Sequence, residues 1–96
     1  MNPKKVRRDQ VHQLEDLPNI GKAMASDLHL LGIHTPEQLI GRNAFEMHEA
    51  LCAKTGQRHD PCVIDVFMSI VHFANGGEAL PWWSFTQERK RMLHRS

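Results

Sequence analysis

Two histidine–cysteine pairs are the residues of this chain whose types and spacing suit coordination or thiol chemistry. His48-x3-Cys52 places both side chains on one helix face, and His59-x2-Cys62 follows closely, so the pairs could meet across a turn as a tetrahedral zinc site. The spacing is unlike the common two-pair zinc patterns, and three readings stay open. The preferred one is packing, with Cys52 and Cys62 as small buried hydrophobes and the histidines at the surface. The second is metal binding by His48, Cys52, His59 and Cys62. The third is a Cys52–Cys62 bridge under oxidation. Cys62 falls in the first turn of a helix, where the dipole would favour its thiolate if the sulfur were exposed. His12, His29, His34, His72 and His94 have no nucleophile at a useful spacing, and no phosphate-binding glycine loop is present. Nothing assembles a reaction, so the expectation is a protein that is not an enzyme and carries no cofactor.

Phosphate binding is the other chemistry on offer, at Leu17-Pro18-Asn19-Ile20-Gly21-Lys22-Ala23. The stretch reads as a tight turn between two helices. Gly21 permits close backbone approach, the first N–H groups of the second helix point outward, and Lys22 adds a cation beside them. Such a site holds the nucleic-acid backbone and does not read bases. The residues expected to carry it are Asn19, Gly21, Lys22 and Ala23, with Arg58 from a second turn, Thr55–Pro61. The same turn could instead serve packing alone, or dock a protein.

The elements that must position these groups read as helices throughout, with no strand signal. Val11, Leu14 and Leu17 share one helix face, and Pro18-Asn19 ends that first helix. A second starts near Gly21, buries Met24, Ala25, Leu28 and Leu31, and meets Gly32 at its C-terminal cap. Thr35-Pro36-Glu37-Gln38 is a capping box that opens a third, stopped at Gly41. Asn43 caps a fourth, which ends at Gly56. A fifth runs from Asp60-Pro61 to Ala74 and stops at Asn75-Gly76-Gly77. The fifth helix is apolar almost all round, with Asp65, Ser69 and His72 as a narrow polar stripe, and reads as the buried mast of the domain. Leu80-Pro81-Trp82-Trp83-Ser84-Phe85 follows and is expected to cover the core. The alternative is that Trp82 and Trp83 form a stacking platform beside the basic residues Arg89, Lys90 and Arg91.

Length and charge narrow the class. Ninety-six residues make one domain with a modest core. No run approaches the roughly 18 apolar residues of a membrane span, and the basic start Met1 to Arg8 lacks the apolar stretch of a signal peptide. Two cysteines supply no disulfide framework, which suits a reducing cytoplasm. Formal net charge is +1, but it is unevenly placed. Lys4, Lys5, Arg7 and Arg8 crowd one end, and Arg89, Lys90, Arg91 and Arg95 the other. All eleven carboxylates lie between Asp9 and Glu88, against only Lys22, Arg42, Lys54 and Arg58. The middle is therefore acidic, which argues against a broad basic DNA-binding surface and leaves phosphate attraction to a local site and the ends. The organisation expected is a basic tail over 1–10, a domain over 11–85 and a basic tail over 86–96.

The turn Leu17-Pro18-Asn19-Ile20-Gly21 resembles the helix-hairpin-helix motif of DNA repair and recombination proteins, whose usual hairpin is leucine-proline-glycine-isoleucine-glycine. Asn19 stands where that motif has its first glycine, and asparagine tolerates the left-handed backbone the position needs. Over residues 14–90 the chain is similar to a bacterial family of pathogenicity-locus or mitomycin-resistance-like helix-hairpin-helix proteins. Besides the hairpin, Leu51-Cys52, His59-Asp60-Pro61-Cys62-Val63, Asp65-Val66-Phe67, Trp82-Trp83 and Glu88-Arg89-Lys90 carry that likeness. A weaker similarity runs to the C-terminal domain of Sxy-type competence regulators. The resemblance and the helix count together imply an all-α, five-helix double helix-hairpin-helix (SAM-like) bundle with a C-terminal tryptophan segment. In it, helices one and two, then four and five, form hairpins joined by helix three, the second hairpin being degenerate. The expected function is sequence-independent binding of nucleic acid, DNA before RNA, in repair, stress or competence. A protein-interaction adaptor is the alternative, and a cysteine-based metal or redox sensor the third.

Overall fold

The computed structural model describes residues 6–94. The expectations for Lys4, Lys5 and Arg95 lie outside the described residues. Within them every regular element is helical and no strand occurs. Four α-helices form the framework: α1 (Lys22–Leu30), α2 (Ala44–Thr55), α3 (Cys62–Ala74) and α4 (Thr86–His94). Short 3₁₀ turns at Arg8–Gln10, Leu14–Asp16, Pro36–Leu39 and Trp82–Phe85 link or precede them.

Two of the five expected helices are thus single turns, and one helix was not expected. Leu17, the residue before Pro18, is extended (φ −68°, ψ 153°), so the segment starting at Val11 cannot grow past its first turn. Asp16 closes what remains by accepting the backbone N–H groups of His12 and Gln13 at 3.0 and 3.1 Å. Those two donors hold its carboxyl below the ordinary carboxylate range. The Thr35 capping box forms as read, but Ile40 is extended and Gly41 has φ +79°, which stops the helix after Leu39. Caps elsewhere behave as the sequence suggests. Asn43 accepts the N–H groups of Phe45 and Glu46, and Gly56 ends α2 in the left-handed conformation.

The core is built around α3, which presents Ile64, Phe67, Ile70 and Phe73 to Leu17, Ile20, Leu28, Ile33, Leu39, Met47 and Leu51. The polar stripe read along this helix splits. His72 is exposed, whereas Asp65 and Ser69 are fully buried. A buried carboxylate must be paired, and Asp65 finds its partners in the segment expected to be a solvated tail. Arg89 of α4 donates to it through Nε at 2.9 Å and Nη2 at 3.3 Å, and the Thr86 hydroxyl donates at 2.7 Å. Residues 86–94 therefore form a helix clamped onto α3 and not a tail. Arg89 accordingly holds its proton more tightly than a free guanidinium, through the hydrogen bond to Asp65.

Arg8, in the stretch expected to be a basic tail, is tied down in the same manner. Arg8 lies with its guanidinium 4.0 Å from the Phe73 ring centroid and donates to the carbonyls of Phe73 and Gly77. A cation at the end of α3 suits the negative pole of that helix.

Candidate nucleic-acid interface

The turn from Leu17 to Gly21 is held from below. Leu17 and Ile20 are 0% and 1% exposed, and Pro18 is buried between them in sequence. Asn19 has φ +67°, the left-handed region in which a non-glycine residue costs on the order of 1 kcal/mol. Its side chain offsets that strain. The amide nitrogen donates to Ser69 Oγ at 3.0 Å and to the Leu80 carbonyl at 2.9 Å, while the Ser69 hydroxyl donates to Val66 O. Asn19 was expected among the phosphate-binding residues. Its amide is instead committed inward, joining the turn to α3 and to the chain just before the tryptophans.

Gly21 follows as the cap position of α1, extended, exposed and without a side-chain acceptor. The first intrahelical bond closes from Ala25 N–H to Gly21 O at 3.0 Å, so the N–H groups of Lys22, Ala23 and Met24 have no partner within the helix. No acid occupies this first turn, and Lys22 and Ala23 are exposed. A Cβ built on Gly21 would meet nothing within 4 Å. Glycine is thus not needed there for packing, and its effect is to leave the approach to the amides open. Contrast α3, where Asp60 accepts the Cys62 N–H at 2.8 Å, and α2, capped by Asn43.

Gly21, Lys22 and Ala23 come together at one helix start. Arg58 stands apart, on the turn between α2 and α3, 3.8 Å from the Glu49 carboxylate with both side chains well exposed. Such a pair contributes little.

The histidine–cysteine residues do converge in part, as a clamp on that second turn. His48 is 5% exposed, contrary to the surface position expected, and its Nε2–H donates to the His59 carbonyl at 3.0 Å. Cys52, buried as expected, accepts the His59 backbone N–H at 3.4 Å and lies 3.9 Å from His48 Nε2. The Thr55 hydroxyl spends its proton on Leu51 O, so His59 Nε2–H must donate to the Thr55 oxygen at 2.8 Å. Both imidazole Nε2 atoms are therefore protonated donors, engaged within the clamp. His48 cannot take a proton from Cys52 through Nε2. Among the described residues no three histidine, cysteine or acidic side chains are grouped to hold a metal ion. Cys62 is a free, partly exposed thiol. The dipole does not lower it as expected, because Asp60 beside it accepts its hydrogen bond and pushes the thiol up.

The pair most easily missed from sequence is Asp65–Arg89, which fixes how α4 and the tryptophans sit. The signal was a lone acid in an otherwise apolar helix. Phe85, 8% exposed, covers the core and meets the His72 ring in a T-shaped contact, while Trp82 is half-buried and Trp83 is 61% exposed. The lid expected of the tryptophans is thus largely Phe85. No helix among the described residues is long and apolar enough to cross a membrane.

Known proteins bear on this arrangement through sequence. The profile of the pathogenicity-locus family, Cdd1, matches residues 7–91. Mitomycin resistance protein McrB of Streptomyces lavendulae is 44% identical over 80 residues, covering 83% of this chain and 76% of that protein. No solved structure matches the chain. The match spans the turn, the clamp and the α3–α4 ion pair alike, and the chain belongs to the pathogenicity-locus family.

Proposed function

We propose that this chain is a non-enzymatic helix-hairpin-helix module of the cytoplasm that binds nucleic acid, DNA foremost, by the phosphate backbone at the start of α1. The observation that carries the reading is the uncapped entrance to that helix: an exposed glycine, three amides without helical acceptors, no acid in the first turn and Lys22 at its edge. A phosphate oxygen would accept from those amides and meet the positive pole of α1. The left-handed Asn19 supports the resemblance, because it holds the backbone shape that glycine gives the usual hairpin. A part in mitomycin resistance is carried over to this chain from its Streptomyces relative.

The test is anisotropy of labelled DNA titrated with the chain across a range of salt. Affinity should fall linearly on a log–log plot, by about 0.9 for each duplex phosphate contacted and about 0.7 for each on a single strand. Lys22→Glu, at an exposed position, should leave the fold intact and weaken binding severalfold. Salt-independent binding, or a variant indistinguishable from the parent chain, would overturn the reading.

A second reading, a protein-interaction adaptor, is favoured by one feature. A groove of about 280 Å³ runs between α3, α4 and the start of α2, lined by Phe45, Met68, Val71, Phe85 and Met92.

A further inference from the structure

Trp83 is the most exposed large apolar side chain of the described residues, at 61%. It is nevertheless firmly placed. It packs edge to face against Trp82, with ring centroids 5.6 Å apart and planes at 82°. The turn Trp82–Phe85 runs directly into α4, and the residues just beyond Trp83 are pinned: Phe85 in the core, Thr86 and Arg89 on Asp65. A rigid, exposed indole suits stacking on a flat ring, because little conformational freedom is lost on contact.

The flank it belongs to has a definite chemistry. Trp83 lies in the 3₁₀ turn that runs into α4, and with about 120° per residue through that turn and about 100° beyond it Lys90 returns to the same side as Trp83. Lys90 lies about 11 Å further along the axis, at about 2.0 Å per residue through the turn and 1.5 Å through α4. Lys90 and its neighbour Arg91 are exposed. The one acid of α4, Glu88, lines the apolar groove with Phe45, Met68 and Met92 on the opposite flank. Arg89 is spent on Asp65. One side of α4 is therefore aromatic and cationic with no carboxylate of its own. It also lies close to the hairpin, since the Asn19 amide reaches the Leu80 carbonyl three residues before Trp83. Chain reach limits the separation of Gly21 and Trp83 to on the order of 25 Å, within the span of a short oligonucleotide.

We propose that the Trp83–Lys90 flank stacks an unpaired base on Trp83 while Lys90 and Arg91 hold adjacent phosphates, making single-stranded nucleic acid the preferred ligand. The inference rests on the nucleic-acid reading above and names the form it takes. A duplex keeps its base faces stacked inside and offers Trp83 nothing, whereas a single strand exposes them.

The experiment uses the full chain with an oligothymidylate, its duplex with oligoadenylate, and an abasic strand of equal length. Tryptophan fluorescence and anisotropy are read for the parent chain, Trp83→Ala, Trp83→Phe and Lys22→Glu. The single strand should quench tryptophan emission and bind more tightly than the duplex. Trp83→Ala should weaken single-strand binding about tenfold, within the roughly 5- to 150-fold that one stacked base confers. Duplex binding should stay within about twofold, Trp83→Phe should recover most of the loss, and the abasic strand should bind the parent chain no better than oligothymidylate binds Trp83→Ala. Unchanged single-strand binding by Trp83→Ala, or equal binding of abasic and normal strands, overturns the inference. If Lys22→Glu still weakens both ligands in that case, the hairpin reading stands and only the stacking fails. If Trp83→Ala weakens binding and Lys22→Glu does not, the flank stands and the hairpin fails. A Trp83→Ala effect confined to self-association in sedimentation would make the flank a protein contact and overturn the proposal.

Discussion

Replacing Arg89 by methionine should be among the most damaging single changes to this fold, although it lies on the last helix, five residues before His94. Asp65 is fully buried, and Arg89 supplies its two nitrogen donors at 2.9 and 3.3 Å. Methionine keeps much of the length of arginine but none of the charge, leaving a buried carboxylate with the Thr86 hydroxyl alone. Breaking one side of a buried pair costs about 3–5 kcal/mol, against a total of roughly 5–15 kcal/mol for a domain. For a chain of this size each kcal/mol moves the melting temperature by about 4–8 °C, so Arg89→Met should lose at least about 12 °C. Urea unfolding followed by circular dichroism gives the free energy directly. The decisive comparison is Asp65→Leu/Arg89→Met, which removes the stranded charge with its partner and should recover most of the loss. A cost below about 1 kcal/mol for Arg89→Met, or a double variant no better than the single, would refute the claim that this pair holds α4 in place.

Asn19 separates strain from hydrogen bonding. Asn19→Gly and Asn19→Ala both lose the bonds to Ser69 and Leu80, but only alanine is strained at φ +67°, so urea unfolding should place it about 1 kcal/mol below the glycine variant. The acid side of the stability profile should show Asp16 and Asp60. Backbone donors lower both carboxyls in the folded chain, so each stabilises above its unfolded value near 3.8 and that contribution is lost as pH falls through the lower, folded value. Asp16→Ala/Asp60→Ala should therefore show a flatter loss of stability between about pH 5 and pH 2; an unchanged slope would contradict the assignment. Because no three histidine, cysteine or acidic side chains are grouped to hold a metal ion among the described residues, protein purified under reducing conditions should carry no stoichiometric zinc, and chelator should leave its melting temperature unmoved.

Local punctuation made much of the fold legible in the sequence. Asn43, Gly56 and the Asn75-Gly76-Gly77 stop act through neighbouring backbone, so their effect can be read residue by residue. Helices one and three were overextended because the caps and breakers bracketing them left room for one turn only, below the length at which a helix repays its nucleation. The docking of α4 was invisible for a different reason. Arg89 has its partner 24 residues earlier, and nothing in a basic, polar stretch says that one of its cations is buried. Lone Asp65 within an apolar helix was the available clue. The same holds at the hairpin. The left-handed backbone of Asn19 could be read from residue type, but the inward turn of its side chain depends on Ser69 and Leu80, far away in sequence. The grouping of Gly21, Lys22 and Ala23 at one helix start was legible because a helix start is a local feature.

The central claim is that the first amides of α1 receive a phosphate, and amide-resolved NMR of the full chain tests it most directly. Titration with a short oligonucleotide should move the Lys22, Ala23 and Met24 N–H resonances first and furthest, with the shifts fading as salt is raised. Shifts confined to other surfaces, such as the groove lined by Phe45, Met68 and Met92, with those three amides unmoved at saturation, would contradict it.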